Sequence, residues 1–189
     1  SKKLLSHYEI KNKLIIYNNY NEINMAEKIH NYLLDNKNIA LISDAGTPCI
    51  SDPGYRIVNK ATLSNIQVVS VPGASSVHAA LSISGLPTDN YFFQGFLPKK
   101  KGRKTKFEKL RELDCTIILF ESPKRIKKTF KDIHLYFGNR VISVCKEMTK
   151  VYEKVYLNNI EDIIRIFDEM NPKGEYVILI AKEDYKLSI

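Results

Sequence analysis

A chain of 189 residues, 44% of them hydrophobic, is long enough to bury a core and has a size between one large and two small domains. The net charge of +8, from 29 Lys and Arg against 21 Asp and Glu, suits a polyanionic partner or solubility alone. No window approaches about 18 uninterrupted apolar residues, which argues against a membrane-spanning helix.

The first half of the chain alternates predicted strands with predicted helices, as βαβ units do. The predicted strands cover residues 14–17, 39–43 and 67–71, and the predicted helices begin at Glu22, after Pro53 and at Val77. The apolar run Ile39–Ile42 predicts a fully buried strand, and the helix from Glu22 has an apolar face that includes Ile23. Asp52 and Pro53 predict an N-cap and first helical residue. The expected domain is α/β with a mostly parallel sheet.

The pattern changes after the segment 86–90, which is short and polar and contains a proline. It is the predicted joint between an N-terminal domain, residues 1–89, and a C-terminal domain, residues 90–189. Strands are predicted over Tyr91–Phe96, Thr116–Phe120, Val141–Lys146, Val151–Leu157 and Tyr176–Ile180, several close enough to pair antiparallel. A helix that opens at Ser122-Pro123 ends at Gly138. The second domain is therefore predicted to hold a mixed sheet.

Two strand-to-helix loops of the first half are candidate ligand sites. Residues Ser43–Gly46 follow an apolar strand, at the position where open α/β sheets bind small molecules. Their hydroxyl and carboxylate can accept hydrogen bonds, and Gly46 lets a ligand approach the backbone. In Val71–Ser76, free helix amides and two hydroxyls can hold a polar group. An Asx turn or a serine cap explains either loop alone, whereas the pair predicts a pocket.

Acidic residues end two of the apolar strands in the second half. Glu121 follows one of them, and Lys146 and Glu147 follow another. A carboxylate in a closed pocket can serve as a general base, although helix capping or ion pairing explains such residues more often. The catalytic residue stays unassigned, and these three are the candidates.

Basic residues cluster in two segments. The segment Lys99–Lys106 carries six cations in eight positions, and a predicted helix carries Lys124, Arg125, Lys127, Lys128 and Lys131. Cations near phosphates release counterions and give salt-sensitive affinity, whereas a solvated, mobile loop is the alternative interpretation. The predicted RNA contacts are Lys99, Lys100, Lys101, Arg103, Lys104, Lys106, Lys124 and Arg125.

Other chemistries lack their motifs. The three cysteines, Cys49, Cys115 and Cys145, have no CxxC spacing, and the four histidines are scattered, so no metal site is predicted. The sequence contains neither GxGxxG nor HExxH. Unpaired cysteines and a start without an apolar signal core indicate a cytoplasmic protein without a membrane partner.

Seven ordered motifs cover nearly the whole chain. They are Leu41-Ile-Ser-Asp-Ala-Gly-Thr-Pro48, Ser51-Asp-Pro-Gly54, Val71-Pro-Gly73, Ser84-Gly-Leu-Pro-Thr-Asp89, Gly95-Phe-Leu-Pro98, Phe120-Glu-Ser-Pro123 and Lys146-Glu-Met-Thr-Lys150. Together they resemble the family called ribosomal RNA small subunit methyltransferase I, of the tetrapyrrole methylase-like class.

The resemblance implies a fold, a cofactor and a substrate. It implies two α/β domains of the tetrapyrrole methylase type with S-adenosylmethionine in the cleft between them, a homodimer, and 2′-O-methylation of a cytidine in the decoding region of small-subunit (16S) ribosomal RNA. The implied cofactor contacts are Ser43, Asp44, Ala45, Gly46, Ser75, Ser76, Phe120, Glu121, Gly174 and Glu175. The basic segment Lys99–Lys106 would then hold RNA phosphates.

One departure from the family pattern keeps alternatives open. The family normally begins with a strand and a Thr-Pro-Ile-Gly-Asn loop upstream of the segment that resembles Ser1–Ile10, so the first N-terminal strand is predicted to be missing. Three hypotheses remain: an RNA 2′-O-methyltransferase, a small-molecule methyltransferase of the tetrapyrrole type, and an inactive, truncated RNA-binding module. The basic segment favours RNA over a porphyrin-like substrate.

Overall fold

A computed structural model of the chain describes residues 2–187. The chain divides into two compact units between Ser75 and Ser76. The helices are α1 (Lys2–His7), α2 (Glu22–Leu34), α3 (Tyr55–Leu63), α4 (Ser76–Ile83), α5 (Arg103–Arg111), α6 (Ile126–Phe137) and α7 (Ile160–Asp168). The strands are β1 (Tyr91–Phe96), β2 (Thr116–Glu121), β3 (Val141–Lys146), β4 (Lys154–Asn159) and β5 (Tyr176–Ile180).

The first unit is built on the packing of α2 against α3. Ala26 and Ile29 of α2 and Ile57 of α3 form its buried core, and partly buried apolar residues from the preceding loops pack against them. Ile23, predicted on the apolar face of α2, is instead 68% exposed. The core therefore uses a narrower stripe of the helix than the sequence pattern indicates.

The predicted parallel sheet of the first unit is not formed by the described residues. The described chain has no β-strand between residues 2 and 90. The segments 14–17, 39–43 and 67–71 therefore form no hydrogen-bonded strand pairs. Ile39 and Ile42, predicted to be fully buried, are 39% and 45% exposed. The physical reason is that a strand needs a hydrogen-bonded neighbour. Ile15, Tyr17 and Leu41 pack against α2 and α3, whereas residues 67–71 are exposed.

The start of α3 also differs from its prediction. The helix begins at Tyr55 with Gly54 at its N-cap position, so Asp52 and Pro53 lie before it. The Asp52 carboxylate instead accepts a hydrogen bond from the Ser43 hydroxyl. The N-cap of α3 consequently has no side-chain hydrogen bond.

The second unit contains a five-stranded mixed sheet in the order β1-β2-β5-β3-β4. β1 and β2 are parallel, whereas β5 pairs antiparallel with both β2 and β3, and β4 pairs antiparallel with β3. This confirms the predicted mixed sheet, and β1, β3 and β5 have the predicted bounds. The strand predicted over Val151–Leu157 begins only at Lys154, because residues 147–153 form hydrogen-bonded turns.

Helices cover both faces of this sheet. The helices α5, α6 and α7 pack on one face, where Ile117 and Leu119 of β2 are fully buried. On the other face, α4 packs against the alternate residues of the strands, including Ile118. Because α4 buries its apolar side here, the boundary of the compact units precedes α4, whereas the predicted domain joint, 86–90, follows it.

Candidate functional site

The two predicted ligand loops of the first unit lie against each other. The Thr47 hydroxyl donates a hydrogen bond of 2.9 Å to the carbonyl of Ala74, which joins the loop after residue 43 to the loop that precedes α4. Ser43 Oγ lies 2.5 Å from Asp52 Oδ2 and 2.9 Å from the carbonyl oxygen of Ala45. This hydrogen bond holds the two loops next to each other in the first unit.

Glu22 is a positioning residue that sequence reasoning missed. Its Oε1 accepts hydrogen bonds from the Gly54 amide and the Tyr17 hydroxyl, both at 3.2 Å, and its Oε2 lies 3.5 Å from Arg56 Nε. Burial, together with the charge of Glu22, raises the pKa of Tyr17 to about 12. The carboxylate fixes the loop before α3, and its signal in the sequence was its place at the first residue of α2.

Glu121 lies at the centre of a buried network in the second unit. Its Oε1 accepts hydrogen bonds from Arg125 Nε and the Ser122 amide, each at 2.7 Å, and its Oε2 accepts one from the Thr129 hydroxyl at 2.6 Å. The Glu121 side chain has no exposed surface. Arg125 also donates to the Leu97 carbonyl at 3.1 Å. Both carboxylate oxygens are therefore occupied in holding the junction of β2 and α6.

The network continues to the basic segment through Arg103. This guanidinium donates to Thr129 Oγ1 at 2.9 Å, to Asp132 Oδ2 at 2.8 Å and to the Pro98 carbonyl at 3.1 Å. Arg103 is only 7% exposed. The sequence grouped Arg103 and Arg125 with the RNA contacts, but the structure commits both guanidinium groups to internal carboxylates and backbone carbonyls.

The lysines predicted to contact RNA lie at the surface. Of these, Lys106 is half-buried, and the others are exposed: Lys99, Lys100, Lys101, Lys104 and Lys124. Only Lys104 approaches a carboxylate among the described residues, at 3.8 Å from Glu108. The segment therefore combines a fixed arginine with lysines that are available to solvent.

Glu147 and Gly174 form a clamp between the end of β3 and the start of β5. Glu147 Oε1 accepts hydrogen bonds from the Glu175 amide at 2.8 Å and from Lys150 Nζ at 3.0 Å, and the Glu147 amide donates to the Glu175 carbonyl at 2.9 Å. A Cβ on Gly174 would lie 2.5 Å from the Glu147 side chain, and Gly174 has a φ of +89°. These contacts make Glu147 a structural residue.

The clamp predicts a pH dependence of stability. The hydrogen bond from Lys150 holds the pKa of Glu147 below its usual value. Because the folded-state pKa is depressed, this contribution is present above about pH 4.3, the ordinary glutamate pKa, and is lost as the pH falls through the folded-state pKa. In urea titrations at pH 3 to 7, Glu147→Gln should therefore lose less stability on acidification than the unsubstituted chain. Glu169→Gln, at an exposed glutamate, is the matched control. An equal loss of stability on acidification in the two variants would contradict the role of the Glu147 contacts.

The other candidate residues occupy varied surroundings. Phe120 is half-buried and makes edge contacts with Phe93 and Phe96 at centroid distances of 5.0 and 5.7 Å. Lys146 is half-buried at the end of β3, and Ser76 is exposed as the first residue of α4.

Residues 2–187 lack two further kinds of feature. That range contains no group of three or more His, Cys, Asp or Glu residues placed to hold a metal ion. None of its helices has the length and apolar character needed to cross a bilayer.

The sequence matches known proteins over most of its length. The family model for tetrapyrrole (corrin/porphyrin) methylases matches residues 6–164. A protein of Halalkalibacterium halodurans named Ribosomal RNA small subunit methyltransferase I is 41% identical over 188 residues, which are 99% of this chain and 65% of that protein. A protein of the same name from Thermotoga maritima is 34% identical over 181 residues, which are 96% of this chain and 82% of that protein.

Solved structures show the same fold at low sequence identity. Diphthine synthase superposes with a TM-score of 0.71 at 11% identity, over 95% of this chain and 73% of that one. Uroporphyrin-III C-methyltransferase from Thermus thermophilus, complexed with S-adenosyl homocysteine, gives a TM-score of 0.53 at 18% identity, over 81% and 72% of the two chains. These matches confirm the resemblance stated from the motifs and the α/β fold class. The chain belongs to the tetrapyrrole (corrin/porphyrin) methylase family.

Proposed function

We propose that this chain carries out the transfer of a methyl group from S-adenosylmethionine to the 2′-oxygen of a cytidine in the decoding region of small-subunit ribosomal RNA. The observation that carries the proposal is the 34% identity to the Thermotoga maritima protein over 82% of that protein's length. The chain spans 65% of the length of the Halalkalibacterium halodurans relative. The proposed setting is a cytoplasmic homodimer.

The chemistry proposed here depends on alignment more than on a dedicated base. Methyl transfer needs the sulfonium methyl in line with the ribose hydroxyl: the oxygen–methyl bond forms as the sulfur–methyl bond breaks, and the hydroxyl proton leaves to solvent. Orientation alone can supply about 7–11 kcal/mol of the barrier. Both oxygens of Glu121 already accept hydrogen bonds, and Glu147 Oε1 accepts two. We therefore assign neither carboxylate as a general base.

The loop Ser43–Gly46 is the part of the proposed cofactor contacts that fits the ligand best. The side chains of Ser43 and Asp44 can accept hydrogen bonds from ribose hydroxyls or an amino group. Gly46 has a φ of +72°, and a Cβ there would approach the Ala74 carbonyl only to 3.8 Å, so the loop leaves its backbone open to a ligand. S-adenosylmethionine supplies the methyl group. The proposed contacts of the second unit are Phe120, Glu121, Gly174 and Glu175.

A small-molecule methyltransferase is the main alternative. The family model is named for corrin and porphyrin methylases, and a structural neighbour acts, by its name, on uroporphyrin III. The basic segment favours RNA instead, because solvent-exposed lysines bind a polyanion of phosphates more readily than they enclose a macrocycle. An inactive RNA-binding module is the third possibility.

Two measurements separate these functions. Calorimetric titration with S-adenosylmethionine should give heat for either methyltransferase and none for an inactive module. Incubation with labelled cofactor and small ribosomal subunits should then label the RNA. Alkaline hydrolysis identifies the atom, since a methylated 2′-oxygen cannot attack the adjacent phosphodiester and that bond stays intact. Cofactor binding without labelled RNA, together with methylation of a uroporphyrin, would reject the RNA assignment.

Removing the Asp44 carboxylate should weaken cofactor binding. A hydrogen bond to a charged group is worth about 1.5–3 kcal/mol, so Asp44→Ala should raise the dissociation constant for S-adenosylmethionine by roughly 10- to 100-fold. Asp35→Ala is the matched control, because Asp35 is exposed at the end of α2 in the same unit. Equal affinities of the two variants for S-adenosylmethionine in calorimetry would show that Asp44 does not contribute to cofactor binding.

A further inference from the structure

A cleft in the second unit lies between the start of α5 and one face of α6. Four lysines line it: Lys99, Lys100 and Lys104 from the basic segment, and Lys128 from α6. We call this surface the cationic cleft. Across residues 2–187, no ion pair joins Lys99, Lys100 or Lys128 to an acid, and Lys104 lies 3.8 Å from Glu108. The cleft therefore has positive charge that the described residues leave largely uncompensated.

The floor of the cationic cleft is held by an ion pair and by stacked aromatic rings. Arg103 and Asp132 lie there and neutralise each other at 2.8 Å. The Arg103 guanidinium sits 5.2 Å from the centre of the Phe107 ring, and Phe107 stacks on Tyr136 with centroids 5.1 Å apart and an angle of 10° between the planes. A packed aromatic pair and a buried arginine thus hold the start of α5 in place. This arrangement argues against a freely mobile basic loop.

The placement of cations at the start of α5 is unfavourable for the isolated helix. Its first turn has no acidic residue and contains Arg103, Lys104 and Lys106. The positive end of a helix dipole disfavours nearby cations. A bound anion reverses the sign of this effect, because the dipole and the lysines then attract the same group. An anionic ligand would therefore remove the unfavourable interaction between these cations and the helix dipole.

We propose that the cationic cleft binds the phosphodiester backbone of the RNA substrate, with Lys128 completing a phosphate site that the basic segment begins. This inference rests on the proposed function for the identity of the RNA. The lysines come from two elements, which suits a chain of successive phosphates. Arg103 acts as a positioning residue, because its guanidinium is already occupied by Asp132, Thr129 and the Pro98 carbonyl.

The sharpest test is a single substitution on α6. A fluorescein-labelled RNA oligonucleotide of the decoding-region sequence is titrated with the 189-residue chain by anisotropy at several salt concentrations. Lys128→Ala should reduce the slope of log affinity against log salt by about 1, as expected for the loss of one phosphate contact. Lys131→Ala is the matched control, since Lys131 is an exposed lysine of the same helix outside the cleft. Equal slopes for Lys128→Ala and Lys131→Ala would overturn the proposal.

A pair of fourfold variants separates the cleft from overall charge. The first replaces Lys99, Lys100, Lys104 and Lys128 by alanine, and the second replaces Lys37, Lys109, Lys131 and Lys186, which are exposed lysines elsewhere. The first should lower the salt slope by about 3 and the affinity by at least tenfold, whereas the second should change the slope by less than about 1. Equal losses of RNA affinity in the two variants would mean that the affinity depends only on net charge, and the proposed phosphate site would be rejected.

Failure of the proposed function has a different signature. If the chain shows no heat with S-adenosylmethionine but the cleft variants still lose RNA affinity, the cleft stands and the methyltransferase proposal fails. If ribosomal RNA is methylated while the cleft variants bind it as tightly as the unsubstituted chain, the methyltransferase proposal stands and the cleft fails. Thermal unfolding followed by circular dichroism should give equal midpoints for both fourfold variants.

Discussion

Replacing Glu121 with alanine should lower the free energy of unfolding by about 3–5 kcal/mol, the usual cost of removing one partner of a buried ion pair. The substitution leaves the Arg125 guanidinium without its carboxylate, and the Thr129 hydroxyl and the Ser122 amide lose their acceptors. Because Arg125 and Arg103 also hold the carbonyls of the loop after β1, the damage should spread to that loop.

Urea unfolding of matched variants measures this effect. Glu121→Gln keeps an acceptor oxygen but loses the charge, so its stability should lie between that of Glu121→Ala and that of the unsubstituted chain. Glu108→Ala removes an exposed glutamate that is 3.8 Å from a lysine, and its effect should stay within about 0.5 kcal/mol. A loss below about 1 kcal/mol in Glu121→Ala would show that the network is not a major source of stability.

Gly54→Ala is the second substitution with a large expected effect. An added Cβ would lie 2.3 Å from Cys49 Sγ and 2.9 Å from Leu41 Cδ2, and the φ of +149° is a conformation that alanine adopts poorly. Backbone strain of about 1–3 kcal/mol and overpacking of about 1–3 kcal/mol together predict a loss of roughly 2–6 kcal/mol. The loss should be confined to the first unit, because Gly54 caps α3 there.

Gly73→Ala is the control for this substitution in the same unit. A Cβ on Gly73 would meet only the Val71 carbonyl, at 4.0 Å, so alanine should be tolerated. Hydrogen exchange of the α3 amides is the suitable measurement, since it reports the local opening of one unit. Equal protection of α3 in Gly54→Ala and Gly73→Ala would contradict the close packing around Gly54.

The buried arginines also guide the design of RNA-binding variants. A combined substitution of the basic segment that included Arg103 would break its contacts with Asp132 and Thr129 and disturb the fold. Loss of RNA affinity in such a variant would not show a phosphate contact. Variants limited to exposed lysines keep the network intact and so report on RNA alone.

The strands of the second unit could be predicted from the sequence because their signal is local. β1, β3 and β5 are short apolar runs with clear ends, and their observed bounds equal the predicted ones. The end of α6 could be predicted equally well from the glycine that follows it. Gly138 has a φ of +71° and terminates the helix. In the first unit, the run Ile39–Ile42 is equally apolar but forms no strand. A strand forms only when another segment pairs with it, and the sequence of the run does not say whether such a segment is present.

The sequence by itself determined the family, through ordered motifs whose residue types match a known pattern, and it located the two loops that the Thr47 hydrogen bond joins. Only the tertiary structure decided which charged residues face solvent. Arg103 and Lys104 are neighbours of equal charge in the cationic cleft, yet the Arg103 side chain is buried against Asp132 and the Lys104 side chain is exposed to solvent. The physical reason is that the task of a charged group is set by the partners within a few ångströms of it, and distant parts of the chain supply those partners.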